Sequence, residues 1–139
     1  MKYKQTNNKV AVRIDKGEEI VETIKKLCKN LGIKTGTITG IGATNKCIIG
    51  FLNTKTQKYQ SKEFIGDHEI APLIGNISTM NGDVYLHLHI NICNAEQKSF
   101  GGHLNSAIVS VTFEAIIDII DGEINRIFDE TIGVNLMDI

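Results

Sequence analysis

Three of the four histidines have a spacing that would let them share one metal ion. His87 and His89 lie two residues apart where apolar and polar residues alternate, so a strand would place both imidazoles on one face, about 7 Å apart at the backbone. His103 follows Gly101-Gly102 and would return toward that pair if the two strands form a hairpin. Three imidazoles would leave a fourth position of a zinc ion open for water or a ligand.

A simpler interpretation is that these histidines are polar residues on the solvent side of an antiparallel strand. The His87-x-His89 pair alone favours that interpretation, and His103 one turn later leaves both open. The fourth histidine, His68, lies apart from the others beside Asp67 and Glu69, so we expect it at the surface.

Other catalytic motifs find no support in the sequence. Gly40-x-Gly42 lacks the third glycine and the following helix of a dinucleotide loop, and no Walker sequence occurs. Cys93 lies in an apolar pattern, which argues against an exposed thiolate nucleophile. Glu114 interrupts an apolar segment and is expected to face solvent.

The composition is typical of one globular domain spanning residues 1–139. Hydrophobic residues make up 42% of the chain and charged residues 22%. Three cysteines without a C-x-x-C pair favour reducing surroundings and a cytoplasmic location. The polar N-terminus does not resemble a signal peptide, and no apolar run reaches the roughly 18 residues of a membrane span. A net charge of −1 makes strong binding to nucleic acid unexpected.

One segment has helical periodicity. Apolar residues recur at spacings of three and four over residues 17–31, which predicts a helix that begins near Asp15 or Gly17 and ends at Gly32. Lysines 25, 26 and 29 crowd its last turns and are expected to form a solvated helix end.

The rest of the chain indicates about seven or eight strands. Asn81-Gly82 predicts a hairpin turn, and Pro72 requires an edge position or a bulge. The fold class is therefore α+β, a mostly antiparallel sheet with one main helix packed on it. The last strand but one is apolar on both faces in its second half, which predicts a homo-oligomer. The expected strands are 9–14, 35–42, 46–52, 58–64, 68–78, 83–92, 105–120 and 123–128.

Several short motifs follow one another in a fixed order from Val10 to Leu136. Together they resemble the PPC domain family, found in plants and prokaryotes. Pro72 replaces the apolar residue usual in the third motif. The matching segments are Arg13-x-x-x-Gly17-Glu18-Glu19, Ile38–Ala43, Glu69–Ser78, His87-Leu88-His89, Gly101–Leu104 and Glu130-x-x-Gly133-x-Asn135-Leu136.

The resemblance implies a homotrimeric α+β fold. It also implies that some prokaryotic members bind zinc through the histidines matched by His87, His89 and His103. In plants the domain follows AT-hooks in nuclear DNA-binding proteins. The only arginines here, Arg13 and Arg126, lie outside any Arg-Gly-Arg core, so DNA binding should be weak.

Three functions are left open by these observations. We favour a trimeric binding or regulatory module whose metal is structural or anchors a small-molecule ligand. The alternative is a small zinc-dependent enzyme of unknown substrate, in which zinc polarises a carbonyl or activates water. Asn91 and Asn105 share the strand parity of the histidines but cannot act as a general base. DNA association is the third function, and the near-neutral charge favours it least.

Overall fold

The largest structural unit of the protein is an antiparallel sheet of six strands. The structure is a computed structural model that describes residues 1–139, and it confirms the α+β class. The strand order is β1-β2-β6-β3-β4-β5, and a separate two-stranded sheet is formed by β7 and β8. The elements are β1 (Lys2–Thr6), β2 (Lys9–Asp15), α1 (Ile20–Leu31), β3 (Gly36–Asn53), β4 (Lys58–Met80), β5 (Asp83–Cys93), β6 (Ser99–Ile119), β7 (Arg126–Asp129) and β8 (Val134–Met137).

The four central strands close into a ring. β6 pairs with β3 through most of its length and with β5 near its own beginning, while β4 lies between β3 and β5. The Asn81-Gly82 turn joins β4 to β5 as predicted, with φ of 54° and 77° at its two residues. Because β5 has neighbours on both sides, its side chains are held in a fixed register.

The helix ends where the sequence predicted and begins later. Gly32 adopts a left-handed φ of 67°, and its N–H bonds the carbonyls of Cys28 and Lys29. The first turn is capped by Glu19, whose carboxylate accepts a hydrogen bond from the backbone N–H of Glu22 at 2.6 Å, so the helix starts at Ile20 rather than at residue 17. With 12 residues, this helix is too short to cross a membrane.

The sequence had suggested a solvated helix end, but two of its three lysines form ion pairs. Lys29 and Lys25 form ion pairs with Asp83 at 2.7 and 3.3 Å, at the start of β5. These pairs lower the pKa of Asp83 to about 2, with Lys29 as the largest cause.

A continuous apolar core lies between the helix and one face of the sheet. The helix contributes Ile20, Ile24 and Leu27, and β5 contributes Leu88 and Ile90, all nearly or fully buried. Each such side chain stabilises the fold by about 1.5–3 kcal/mol. The alternate residues of β5 therefore face away from the core.

Two pairs of expected strands are in fact single long strands. β3 joins the predicted segments 35–42 and 46–52, and β4 joins 58–64 and 68–78. Register shifts interrupt β3 near Gly42 and Lys46 without ending it, because a bulge absorbs one extra residue and lets pairing continue. Pro72 lies at such a shift, between Ile70 and Leu73, as its missing N–H requires.

Three further strands differ from the prediction. β6 begins at Ser99 rather than Asn105, and this earlier start gives it 21 residues. β1 was not expected, because all five of its residues are exposed on an edge strand and have no apolar alternation. The closing strand predicted over 123–128 is β7 over Arg126–Asp129, which pairs with β8 instead of joining the main sheet.

Candidate metal centre

The three histidines meet on the sheet face that points away from the core. His87 and His89 alternate on β5 with the buried Leu88 and Ile90. His103 lies on β6 directly opposite His89, so the hairpin on which the convergence of the three histidines depended is present. The cluster of His87, His89 and His103 is hereafter the histidine cluster.

The imidazoles of the histidine cluster are close enough to share one ion. Their ring centroids are 5.2 Å apart for His87 and His89, 5.3 Å for His87 and His103, and 5.7 Å for His89 and His103. One nitrogen from each lies within 4.8 Å of the other two. Tetrahedral zinc with bonds of about 2.0–2.1 Å places its nitrogen ligands about 3.4 Å apart, which small side-chain rotations would reach. An all-imidazole donor set suits zinc and other divalent transition metals.

Two of these imidazoles favour the neutral form that a metal requires. Burial lowers the pKa of His87 to about 4, with further contributions from the positive charge of Arg126 and from the other two histidines. Burial, followed by the proximity of His89, also lowers the pKa of His103. At neutral pH the nitrogen lone pairs of His87 and His103 are therefore available to coordinate a metal ion.

Gly75 on β4 lets β4 pack closely against β5, the strand that carries His87 and His89. A Cβ on Gly75 would lie 2.2 Å from the carbonyl oxygen of His87 and 2.9 Å from Cα of Leu88. Beside this glycine, Asn76 is paired with His87 and Ile74 with His89.

Tyr59 lies beside the cluster, next to His103. Its ring meets that of His103 edge-on, with centroids 6.3 Å apart, and its hydroxyl donates to Oδ1 of Asn105 at 2.7 Å. The hydroxyl passes over Gly50, where a Cβ would lie only 1.6 Å from it. Gly50 is the pairing partner of His103, so the missing side chain makes room for Tyr59 beside the cluster.

A buried arginine lies close to the His87 end of the cluster. Arg126 is 7% exposed and donates to Oγ of Ser78, the backbone oxygen of Asn135 and Oδ1 of Asn76 at 2.7–2.8 Å. It forms no ion pair with a carboxylate. Sequence patterns did not point to Arg126 or Tyr59, because no local spacing marks their contacts near the cluster. Asn76 was missed as well, although the Asn81-Gly82 turn sets β4 against β5 and so places Asn76 opposite His87.

The other candidate residues lie outside the cluster. His68 shares a 2.7 Å hydrogen bond with the carbonyl oxygen of Gly66, and Glu114 is exposed as predicted. The cysteines are all free, and burial raises the pKa of the Cys28 and Cys47 thiols to about 12, which makes them poor nucleophiles.

A groove of about 480 Å³ opens beside the histidine cluster. It runs from β5 across β4 to β3, and no carboxylate lines it. Its walls are Thr37, Ile38, Thr39, Ile74, Gly75, Asn76, His87 and His89.

Comparison with known protein families shows to which family the chain belongs. The family model of the Plants and Prokaryotes Conserved (PCC) domain, the PPC domain of the sequence analysis, matches residues 1–121. The chain belongs to this family. The match covers the histidine cluster and the early motifs, whereas the motif from Glu130 to Leu136 lies beyond it.

Solved structures of PCC relatives share the whole fold. A Bacteroides thetaiotaomicron protein provisionally described as DNA-binding is 39% identical, with a TM-score of 0.96 over 99% of this chain and 96% of that one. A plant- and prokaryote-conserved protein from Pyrococcus horikoshii is 30% identical, with a TM-score of 0.86 over 99% and 93%. A metal-containing protein from Archaeoglobus fulgidus is 28% identical, with a TM-score of 0.87 over 99% of each chain. Among curated proteins, none matches significantly.

Proposed function

We propose that this PCC protein is a binding module that holds a zinc ion with His87, His89 and His103. The observation that carries the proposal is the convergence of three imidazole nitrogens within 4.8 Å on one face of the sheet. The low pKa of His87, about 4, supports it because a neutral imidazole is the metal-binding form. The description of the Archaeoglobus fulgidus relative as metal-containing supports it as well.

Three protein ligands are typical of a zinc site with an open position. When bound, zinc supplies a Lewis acid that can anchor an oxygen or nitrogen atom of a ligand. The chain itself supplies the rest: β5 and β6 fix the imidazoles in register, and the groove beside His87 and His89 accommodates the remainder of the ligand.

The module acts as a homotrimer in this proposal. Three isoleucines on the same face as the groove are between 49% and 62% exposed: Ile74 and Ile116 flank Thr39 across the sheet, and Ile41 lies two residues further along β3. Packing this apolar surface against copies of the chain would remove it from water.

A zinc-dependent enzyme is the second candidate, and the groove beside an open metal position favours it. The metal-binding group consists of histidines alone, with no carboxylate to act as a general base. Binding therefore remains the primary proposal. DNA association is third, since the net charge is −1 and the provisional description belongs to the relatives.

The proposal is tested by metal analysis of native protein purified without chelators, affinity tags or added metal. Mass spectrometry should find close to one zinc ion per chain. A preparation that is folded but metal-free, and that takes up no zinc on titration, would contradict the proposal.

A further inference from the structure

The groove beside the histidine cluster is built from two neighbouring rows of residues. Thr37, Asn76 and His87 face one another across β3, β4 and β5. Thr39, Ile74 and His89 form the second row, which continues to His103. The groove thus presents one amide on the strand next to His87 and two hydroxyls one strand further away.

Arg126 fixes the orientation of the Asn76 amide. Its Nη2 donates to Asn76 at 2.7 Å, and because arginine only donates, the accepting atom must be the amide oxygen. The amide nitrogen is therefore on the other side of the group, and it donates no hydrogen bond within the protein. Two N–H groups are left for a ligand beside His87.

The charge of Arg126 has no counter-ion in the chain. All three of its hydrogen-bond acceptors are neutral, and its guanidinium lies over the ring of Tyr85 with Cζ 4.8 Å from the centroid. Burying an uncompensated cation is costly, so a negative charge bound nearby would be favourable. Asp118, which pairs with Thr37 from the other side, is already bonded to Lys9 and Asn8.

We infer that the groove binds the carboxylate group of a small organic ligand. The Asn76 amide donates to the carboxylate directly, the hydroxyls of Thr37 and Thr39 lie along the same wall, and Arg126 stabilises the negative charge through Asn76. Charge-assisted hydrogen bonds of this kind are stronger than neutral ones. The inference builds on the proposed function only in placing the same ligand within reach of the metal.

Asn76→Asp is the decisive variant. The carboxylate of the variant still accepts the hydrogen bond from Arg126, but it lacks the two N–H donors of the amide and repels a bound carboxylate. Asn105→Asp is the matched control: it makes the same change beside His103 but away from the groove. The probe is acetate, with inorganic phosphate in parallel at constant ionic strength. Binding is followed by amide NMR shifts, in metal-free and zinc-loaded protein.

Acetate should shift the Asn76 side-chain amide of the wild type saturably. Asn76→Asp should weaken acetate binding at least tenfold, as reported by the amides of Thr37 and Thr39, while Asn105→Asp stays within about threefold. The inference would be overturned if wild type and Asn76→Asp bound acetate equally, or if both variants lost binding equally. Phosphate binding without acetate binding would overturn it as well. So would a wild type that binds acetate in neither form.

The experiments can reject the carboxylate site and the metal site independently of each other. Acetate binding that depends on Asn76 in a protein that takes up no zinc would sustain the carboxylate site and contradict the metal site. One zinc per chain with no acetate binding would do the reverse.

Discussion

The guanidinium of Arg126 lies over the ring of Tyr85 in a cation–π contact, with Cζ 4.8 Å from the ring centroid. Arg126 belongs to β7, and Tyr85 precedes His87 by two residues on β5. A hydrogen bond of 2.8 Å from Nη1 to the backbone oxygen of Asn135 ties in β8 as well. One buried side chain therefore links the C-terminal hairpin to β4 and to β5, the strand that carries His87 and His89.

Replacing Arg126 should destabilise the fold. Arg126→Ala leaves the buried hydroxyl of Ser78 and two other acceptors without their donor, which should lower the free energy of unfolding by about 2–4 kcal/mol. Urea denaturation measures the loss, and hydrogen exchange should show β7 and β8 opening first. The control is Arg13→Ala, which removes only an exposed ion pair with Asp15 and should cost less than about 1 kcal/mol. Equal losses in both variants would contradict this role of Arg126.

Two glycines beside the cluster should respond differently to a methyl group. Gly75→Ala forces a Cβ against the backbone of β5, 2.2 Å from the His87 oxygen, and should cost about 1–3 kcal/mol and weaken metal binding. Gly50→Ala meets the half-exposed Tyr59 side chain, which can swing away, so it should cost less than about 1 kcal/mol. Thermal unfolding and zinc titration of both variants check the order. A Gly50→Ala protein that is the less stable of the two would refute it.

Metal-free protein should lose stability as pH falls through the window set by His87. Its pKa is about 4 when folded, against about 6.5 in an unfolded chain. Between these values the unfolded state binds a proton that the native state does not, so the free energy of unfolding decreases from pH 6.5 to pH 4. His87→Gln should remove this part of the slope in urea denaturation series, whereas His68→Gln outside the cluster should keep it. A His87→Gln profile parallel to wild type would contradict the shift.

The proposed trimer should depend on the exposed isoleucines. Ile116→Lys places a charge in the middle of that surface, where the residue is 49% exposed and contributes little to the monomer core. Light scattering at micromolar concentration should give the trimer mass for wild type and a lower mass for the variant. Ile132→Lys, half-exposed in the turn between β7 and β8, should leave the mass unchanged. A monomeric wild type would contradict the proposed assembly.

Local patterns predicted much of this architecture, because they report single elements and tight turns. The alternation around His87 predicted β5 and its core face, and Gly32 marked the helix end. Continuity of β3 and β4 through their bulges could not be read locally, since a bulge and a loop use similar residues. The hydrogen bond between Arg126 and Asn76 spans 50 residues and depends on how the C-terminal hairpin docks.

Metal content of the wild type and three histidine variants tests the histidine cluster most directly. The proteins are the wild type, His89→Ala, His103→Ala and His68→Ala, each analysed for zinc per chain by mass spectrometry at neutral pH. His89→Ala and His103→Ala should lose most of the metal yet remain folded, because Leu88 and Ile90 still pack in the core, and His68→Ala should match the wild type. Equal zinc content in all four proteins would contradict the three-histidine site.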